Sequence, residues 1–293
     1  MSCTLCPRQC QVDRTAANGF CGCSSVPKIA RAALHFDEEP CISGTRGSGT
    51  IFFSGCNLKC VFCQNIVLQS GALGEPFPVE RLAETMRKLE ALGAHNINLV
   101  TPTPHRDAIV AALTRAKKDG LSIPVLYNTN AYESVDTIRS YEGLVDLYLP
   151  DFKYRDERLA VRFSKAPRYF ETAMASIGEM VRQVGFMQLD ENGIATHGVR
   201  IRHLVLPGCV FDTRAILDAV AETFGVGCPL SLMSQYTPIP ECQTSPLNRR
   251  LTRREYDAAL EYCLSLGFTD VLTQGLDSAA SHFTPPFSDR VTL

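Results

Sequence analysis

Six times between residues 50 and 266 a short apolar run is followed by a stretch whose apolar residues recur at helical spacing. That alternation limits the fold more than any other feature of this sequence. The runs at 50–54, 97–100, 125–127, 145–149, 201–206 and 230–234 read as buried strands. The stretches at 79–92, 106–118, 134–141, 156–184, 213–224 and 252–266 read as helices. Parallel strands need crossovers of about a dozen residues or more, which these helices supply. The sequence therefore predicts an α/β fold: a partial (β/α)6 TIM-type barrel that stops short of the closed eight-unit form, with a small Cys-rich N-terminal metal-binding segment. Residues 1–47 are that Cys-rich leader, 48–275 the barrel, and 276–293, with Pro285 and Pro286, an extended tail covering an opening.

In such folds the site lies where the C-terminal ends of the strands meet their loops. Polar residues gather at four of these exits, at 101–105, 128–130, 151–153 and 235–237. Core packing alone gives no reason for polar groups at each of them.

The chain carries 13 cysteines, nine of them within the first 63 residues, and clustered thiols in a reducing compartment read as metal ligands rather than disulfides. Cys56, Cys60 and Cys63 follow the first strand at C-x3-C-x2-C spacing. A [4Fe–4S] cluster needs four ligands, so three thiolates leave one iron open. Zinc on three thiolates calls for a nearby histidine, and none lies between His35 and His95. In the leader, Cys3, Cys6, Cys10 and Cys21 suffice for a second [4Fe–4S] cluster or a tetrahedral zinc, with Cys23 to spare and Gly19 and Gly22 to let the backbone turn. The segment 35–44, with Glu38, Glu39 and Cys41, reads either as a surface loop or as a wrap supplying an acid or a hydrogen-atom donor. Cys228 and Cys263 read as core residues, Cys209 and Cys242 as candidates for the barrel mouth, and His95, His197 and His282 as surface or core fillers. Hydrophobic residues make up 45% of the chain, enough for a full core, and the net charge of −2 gives no basic field for nucleic acid. No apolar run reaches membrane-spanning length and no signal peptide precedes Cys3, so a cytoplasmic location without membrane attachment is expected.

The cysteine loop, Cys56-Asn57-Leu58-Lys59-Cys60-Val61-Phe62-Cys63, resembles the signature of the radical SAM (S-adenosylmethionine) superfamily, and within it the pyruvate formate-lyase activating enzyme-like group. The stretch Leu126-Tyr127-Asn128-Thr129-Asn130-Ala131-Tyr132 is similar to that group's third-strand motif, with Asn128 and Ala131 where Asp and Gly are usual. Asp151-Phe152-Lys153 resembles its D-x-K motif, and Ile201-Arg202 through Pro207-Gly208 its fifth-strand stretch. The leader, Cys3-Thr4-Leu5-Cys6-Pro7-Arg8-Gln9-Cys10, with 35–41, is similar to the PflX-type subgroup.

The resemblance implies S-adenosylmethionine on the open iron and a 5′-deoxyadenosyl radical that takes hydrogen from a substrate. It implies Lys153 at the S-adenosylmethionine carboxylate or ribose, Arg202 at the carboxylate, Asn128 and Asn130 around the ribose hydroxyls, and Asp151 holding Lys153 or a substrate backbone. A Gly-Gly-Glu stretch usual after strand two is replaced by Thr101-Pro102-Thr103-Pro104-His105, so Thr103 or backbone carbonyls would receive the amino group. The partners implied are an electron donor such as flavodoxin or ferredoxin, and a polypeptide substrate such as a glycyl radical enzyme. Tyr236-Thr237 stands where the activating enzymes carry a histidine, which favours modification of another protein, a peptide or a small molecule. Against either stands a non-catalytic electron carrier, which would give no S-adenosylmethionine-facing groups at four strand exits.

Overall fold

The computed structural model describes residues 3–276 and Phe287. In chain order the elements are β1 (Lys28–His35), α1 (Pro40–Ser43), β2 (Ser48–Phe53), β3 (Glu75–Pro76), α2 (Val79–Ala91), β4 (Ile97–Val100), α3 (Arg106–Lys118), β5 (Val125–Thr129), α4 (Val135–Arg139) and β6 (Leu147–Pro150). There follow α5 (Glu157–Ser164), α6 (Tyr169–Val184), β7 (Gln188–Leu189), β8 (Ala195–Val199), β9 (Ile201–Leu204), α7 (Val210–Phe224), β10 (Leu230–Met233), α8 (Arg253–Ser265) and β11 (Val271–Thr273).

Strands β2, β4, β5 and β6 run parallel side by side. Each is buried along its whole length, as a sheet covered on both faces requires. Strand β6 pairs with β8 at Leu147–Gly198, then bridges from Asp151 to Arg202 in β9. With only Arg200 between them, β8 and β9 act as one bent strand that carries the parallel order on to β10 and β11. The alternation seen in the sequence is thus realised as an open α/β barrel whose two edges do not pair among the described residues.

Three parts differ from the sequence expectation. First, 28–35 of the leader forms β1, antiparallel to β2 on the first edge, so the leader's second half belongs to the sheet. Second, the long helix expected over 156–184 is two helices. Pro167 cannot continue a helix, and Lys165 (φ 51°) and Arg168 (φ 54°) turn the chain between them. Third, β7 and β11 are only two and three residues long, and β8 carries Thr196, His197 and Gly198 where an apolar run would be needed for a signal. Of the expected tail, only Leu276 and Phe287 are described, the latter meeting Phe52 edge to face with 5.4 Å between ring centres. The rest of the tail, with His282, lies outside the described residues. No helix among them is long and apolar enough to cross a membrane.

Because β1 is antiparallel, its end lies beside the start of β2, where His35 pairs with Ser48. The chain then crosses the N-terminal end of the barrel as α1. There Ile42 is fully buried with Leu126, Leu147 and Leu149, and its carbonyl accepts from Asn96 Nδ2 at 2.9 Å. This plug is part of the core. Ile42→Ala is therefore expected to lower the unfolding free energy by about 2–5 kcal/mol. Urea denaturation checks this; a loss comparable with that of a surface substitution would show the plug to be peripheral.

Candidate active site

The first strand exit begins at Ser54, and Gly55 sits at φ +88° with the leader packed against it. A Cβ on Gly55 would lie 1.9 Å from Cys23 Sγ, so only glycine fits there. The Cys21 carbonyl accepts from the Cys56 N–H at 3.3 Å. On the other side, the N–H groups of Lys59 and Val61 donate to the carbonyls of Ser164 and Phe163, at 3.0 and 2.9 Å. The cysteine loop is thus clamped between the leader and the C-terminal turn of α5. The helix break missed by the periodicity is what brings Ser164 there.

Cys56, Cys60 and Cys63 all line one cavity of about 240 Å³ at the strand ends. Each sulfur has a donor aimed at it: the Leu58 N–H at 3.4 Å for Cys56, Ser164 Oγ at 2.9 Å for Cys60, and the Gln69 side chain and Asn65 N–H for Cys63. Burial pushes the Cys56 thiol up to about 12 and that of Cys60 up to about 11, and it raises Cys63 as well; for Cys56 and Cys60 the charge of neighbouring sulfurs adds to this. Three thiolates here need a metal cation to offset their desolvation. A [4Fe–4S] cluster sets each of three thiolates on a different iron. Among the described residues no fourth cysteine lines this cavity, and N–H and O–H donors surround the sulfurs. The residues fit a [4Fe–4S] cluster with one open iron.

The expected polar residues Asn128, Asn130, Asp151, Lys153 and Arg202 line the same cavity. Asn130 Nδ2 lies 3.5 Å from Cys56 Sγ and 2.8 Å from Asn57 Oδ1. Ala131 takes φ +60°, the left-handed backbone in which the related motif has glycine. Lys153 Nζ meets Asp151 Oδ2 at 2.8 Å, and Arg202 Nε meets Asp151 Oδ1 at 2.8 Å. Burial alone would raise Asp151, but Arg202 and Lys153 outweigh it and hold the carboxyl below its usual range. For Lys153 burial acts downward, and Asp151 together with the Cys60 sulfur more than restores it, leaving the ammonium raised.

Two expected residues already have partners within the chain, and Arg202 is the first. Besides Asp151, it donates to Asn128 Oδ1 at 2.6 Å and meets Glu38 Oε2 at 3.3 Å and Glu39 at 3.8 Å. It therefore positions other lining groups. Thr103 turns away from the cavity, its hydroxyl donating to Glu133 Oε1 at 2.6 Å, while Thr101, with φ +58°, lines the cavity instead. The short helical turn at Thr103–His105 rotates the hydroxyl outward.

The segment 35–44 does wrap onto the barrel. Glu38 reaches the cavity and accepts from Asn98 and Asn128, both at 3.2 Å, and burial raises it to about 7 despite Arg202. Cys41 does not face the cavity; its sulfur lies 4.0 Å from that of Met187. Cys209 and Cys242 are core residues, not mouth residues. In the leader, Cys3, Cys6, Cys10 and Cys21 line one small cavity of their own, on the far side of Asn57.

Sequence reasoning passed over Glu133, Asn57 and Ser164. Glu133 is buried in a cage of hydroxyls, Thr103, Thr129 and Tyr127, with no cation beside it among the described residues, and burial raises it to about 7. Its position three residues after Asn130, in a loop of ordinary polarity, carried no signal of this.

These features fit an iron–sulfur enzyme in which one iron would face a polar cavity. The chain belongs to the radical SAM superfamily, whose members use a [4Fe–4S] cluster and S-adenosylmethionine. The superfamily's model matches residues 50–188. The uncharacterized protein MJ0674 of Methanocaldococcus jannaschii is 32% identical over 270 residues, covering 89% of this chain and 73% of that one. Streptococcus suis SuiB bound to S-adenosylmethionine is similar with a TM-score of 0.52 at 16% identity, over 76% of this chain and 49% of its own. Native anSMEcpe with bound AdoMet also gives 0.52, at 12% identity, over 75% and 61%. This chain thus spans about half the length of SuiB, and at such identities the likeness is one of fold.

Glu133 offers a pH test. Its proton is held more tightly in the folded chain, so its contribution to stability is full below the usual glutamate value of 4.5 and lost as pH rises through about 7. Across that window the parent is expected to lose about 3 kcal/mol that Glu133→Gln does not. Urea unfolding of both as a function of pH measures the difference; parallel curves would contradict it.

Proposed function

We propose that the chain cleaves S-adenosylmethionine reductively at a cluster on Cys56, Cys60 and Cys63 and directs the radical to a C–H bond of a substrate. The observation that carries this is the sharing of one cavity by three thiols, Asn130 and the Lys153–Asp151 pair. When bound, the cluster would supply the one electron that splits S-adenosylmethionine into methionine and a 5′-deoxyadenosyl radical. Lys153, already charged and held by Asp151, offers an ammonium to the methionine carboxylate, and Asn128 and Asn130 offer amides to the ribose. Thr101 and nearby carbonyls are left to receive the amino group.

The activase reading, hydrogen abstraction from a backbone glycine of a glycyl radical enzyme, draws support from the resemblance to the activating enzymes and from the open barrel edges, which leave room for a polypeptide loop. Tyr236 favours the alternative, modification of another protein, a peptide or a small molecule. It stands where those enzymes carry histidine, and its ring packs on Phe62 of the cysteine loop, with 5.9 Å between centres, rather than lining the cavity. A flavodoxin- or ferredoxin-type protein is the electron donor of this reading.

The leader cysteines belong to a second centre. Three closely spaced cysteines with a remote fourth, all lining one cavity, support a [4Fe–4S] cluster over zinc.

The anaerobically reduced protein is expected to convert S-adenosylmethionine to 5′-deoxyadenosine and methionine, and a variant lacking Cys56, Cys60 and Cys63 to form neither. Chromatography of the products tests this; deoxyadenosine from the triple variant would overturn it. Iron analysis is expected to find about eight irons per parent chain and about four in that variant. A variant devoid of iron would return the leader to zinc. An organic radical on a glycyl radical enzyme after incubation would establish the activase reading.

A further inference from the structure

Arg8 joins the leader's thiol cavity to the cysteine loop of the active site. Its guanidinium lies over the Phe20 ring, 3.9 Å from the centre, with the Tyr132 ring 5.3 Å away. Its Nε donates to the Asn57 carbonyl at 3.0 Å. Asn57 is itself fixed at both ends of its amide: Nδ2 donates to the Tyr132 carbonyl at 2.6 Å, and Oδ1 accepts from Asn130, whose Nδ2 also lies 3.5 Å from Cys56 Sγ. One guanidinium is therefore tied, through Asn57, to the side chain that touches the Cys56 sulfur.

The other end of Arg8 is unfinished. Its Nη2 is buried and finds no acceptor among the described residues. A desolvated cationic N–H without a partner is costly enough that native structures rarely keep one. The cavity that Arg8 lines is walled by Cys3, Cys6, Cys10 and Cys21. Tight turns bring these thiols round. Gln9 and Gln11 take left-handed backbone, Gln11 donates to the Cys3 carbonyl at 3.0 Å, and the Phe20 N–H donates to Cys10 Sγ at 3.3 Å. A metal centre on four thiolates carries net negative charge and sulfur acceptors, which is the partner Nη2 lacks.

We propose that Arg8 is a positioning residue: the metal centre of the leader fixes its guanidinium, and the guanidinium in turn fixes Asn57 and Asn130 for S-adenosylmethionine binding at the cluster of Cys56. The leader then sets the geometry of the reaction site as well as any electron path to it. The inference rests on the reading of the leader cysteines as a metal site.

The test compares the anaerobic holoprotein with Arg8→Met, Arg8→Lys, the double variant Cys10→Ser/Cys21→Ser, and the combination of Arg8→Met with that double variant. Iron content and S-adenosylmethionine affinity are measured, with the EPR signal of the reduced cluster in the presence of S-adenosylmethionine. Arg8→Met is expected to keep the parent's iron, bind S-adenosylmethionine about tenfold more weakly and shift the EPR signal towards its form without S-adenosylmethionine. Arg8→Lys, which keeps the charge without the fork, falls between it and the parent. The cysteine double variant loses only leader metal and shows the same weakening, and adding Arg8→Met to it changes nothing more. Parent-like affinity and EPR in both Arg8 variants, or losses that simply add in the combination, would overturn the inference. A parent chain that holds no metal beyond its first cluster would instead refute the leader's metal site, and failure of the parent to bind S-adenosylmethionine would refute the proposed function.

Discussion

Three thiols buried in one cavity at the strand ends are the constraint on which the rest of this structure depends. In water each would titrate near its ordinary value; here burial raises all of them, with Cys56 pushed up to about 12. Such a set is stable as thiolates only around a cation. The surrounding chain supplies what a cation alone does not: hydrogen bonds to each sulfur and two clamps on the loop. One clamp comes from the leader at Cys21 and Cys23, and the other from the end of α5 at Phe163 and Ser164.

The cavity's charges are arranged around a shortage of cations. Asp151, Glu38 and Glu39 face Arg202 and Lys153, and Arg202 is shared among all three acids. Asp151 wins that competition and stays ionised, whereas Glu38 is left raised to about 7. Lys153 is the cation whose only acid partner is a single carboxylate among the described residues. It is therefore the one best placed to meet an anionic ligand group. Glu38 enters from the N-terminal end of the barrel and the cysteines from its C-terminal end, so the cavity is built from segments far apart in the chain.

Much of this was legible in the sequence. Strands β4 to β6, β9 and β10 and helices α2, α3 and α8 follow from periodicity, because each is long enough or apolar enough to show it. The C-x3-C-x2-C spacing pointed to the loop whose three thiols share a cavity, and polar residues at strand exits pointed to the side chains that line it with them. What escaped depended on the third dimension. Strand β1 has no signal apart from its pairing with β2. Ser164 becomes a neighbour of Cys60 only because Pro167 ends α5 where it does. The internal partners of Thr103 and Arg202 were not visible, since which way a hydroxyl turns, or which acids a guanidinium meets, is set by Glu133 and Glu38 from elsewhere in the chain. Asn57 and Glu133 looked like ordinary loop residues because their roles lie wholly in long-range hydrogen bonds.

The central claim is that one iron at Cys56, Cys60 and Cys63 stays open and takes S-adenosylmethionine in the cavity beside Lys153. Mössbauer spectroscopy of the anaerobically purified protein, with and without S-adenosylmethionine, examines that iron directly. The account predicts that S-adenosylmethionine shifts the signal of a single iron towards higher coordination and leaves the others unchanged, and that the effect disappears when Cys56, Cys60 and Cys63 are replaced. A spectrum unaltered by saturating S-adenosylmethionine would contradict it.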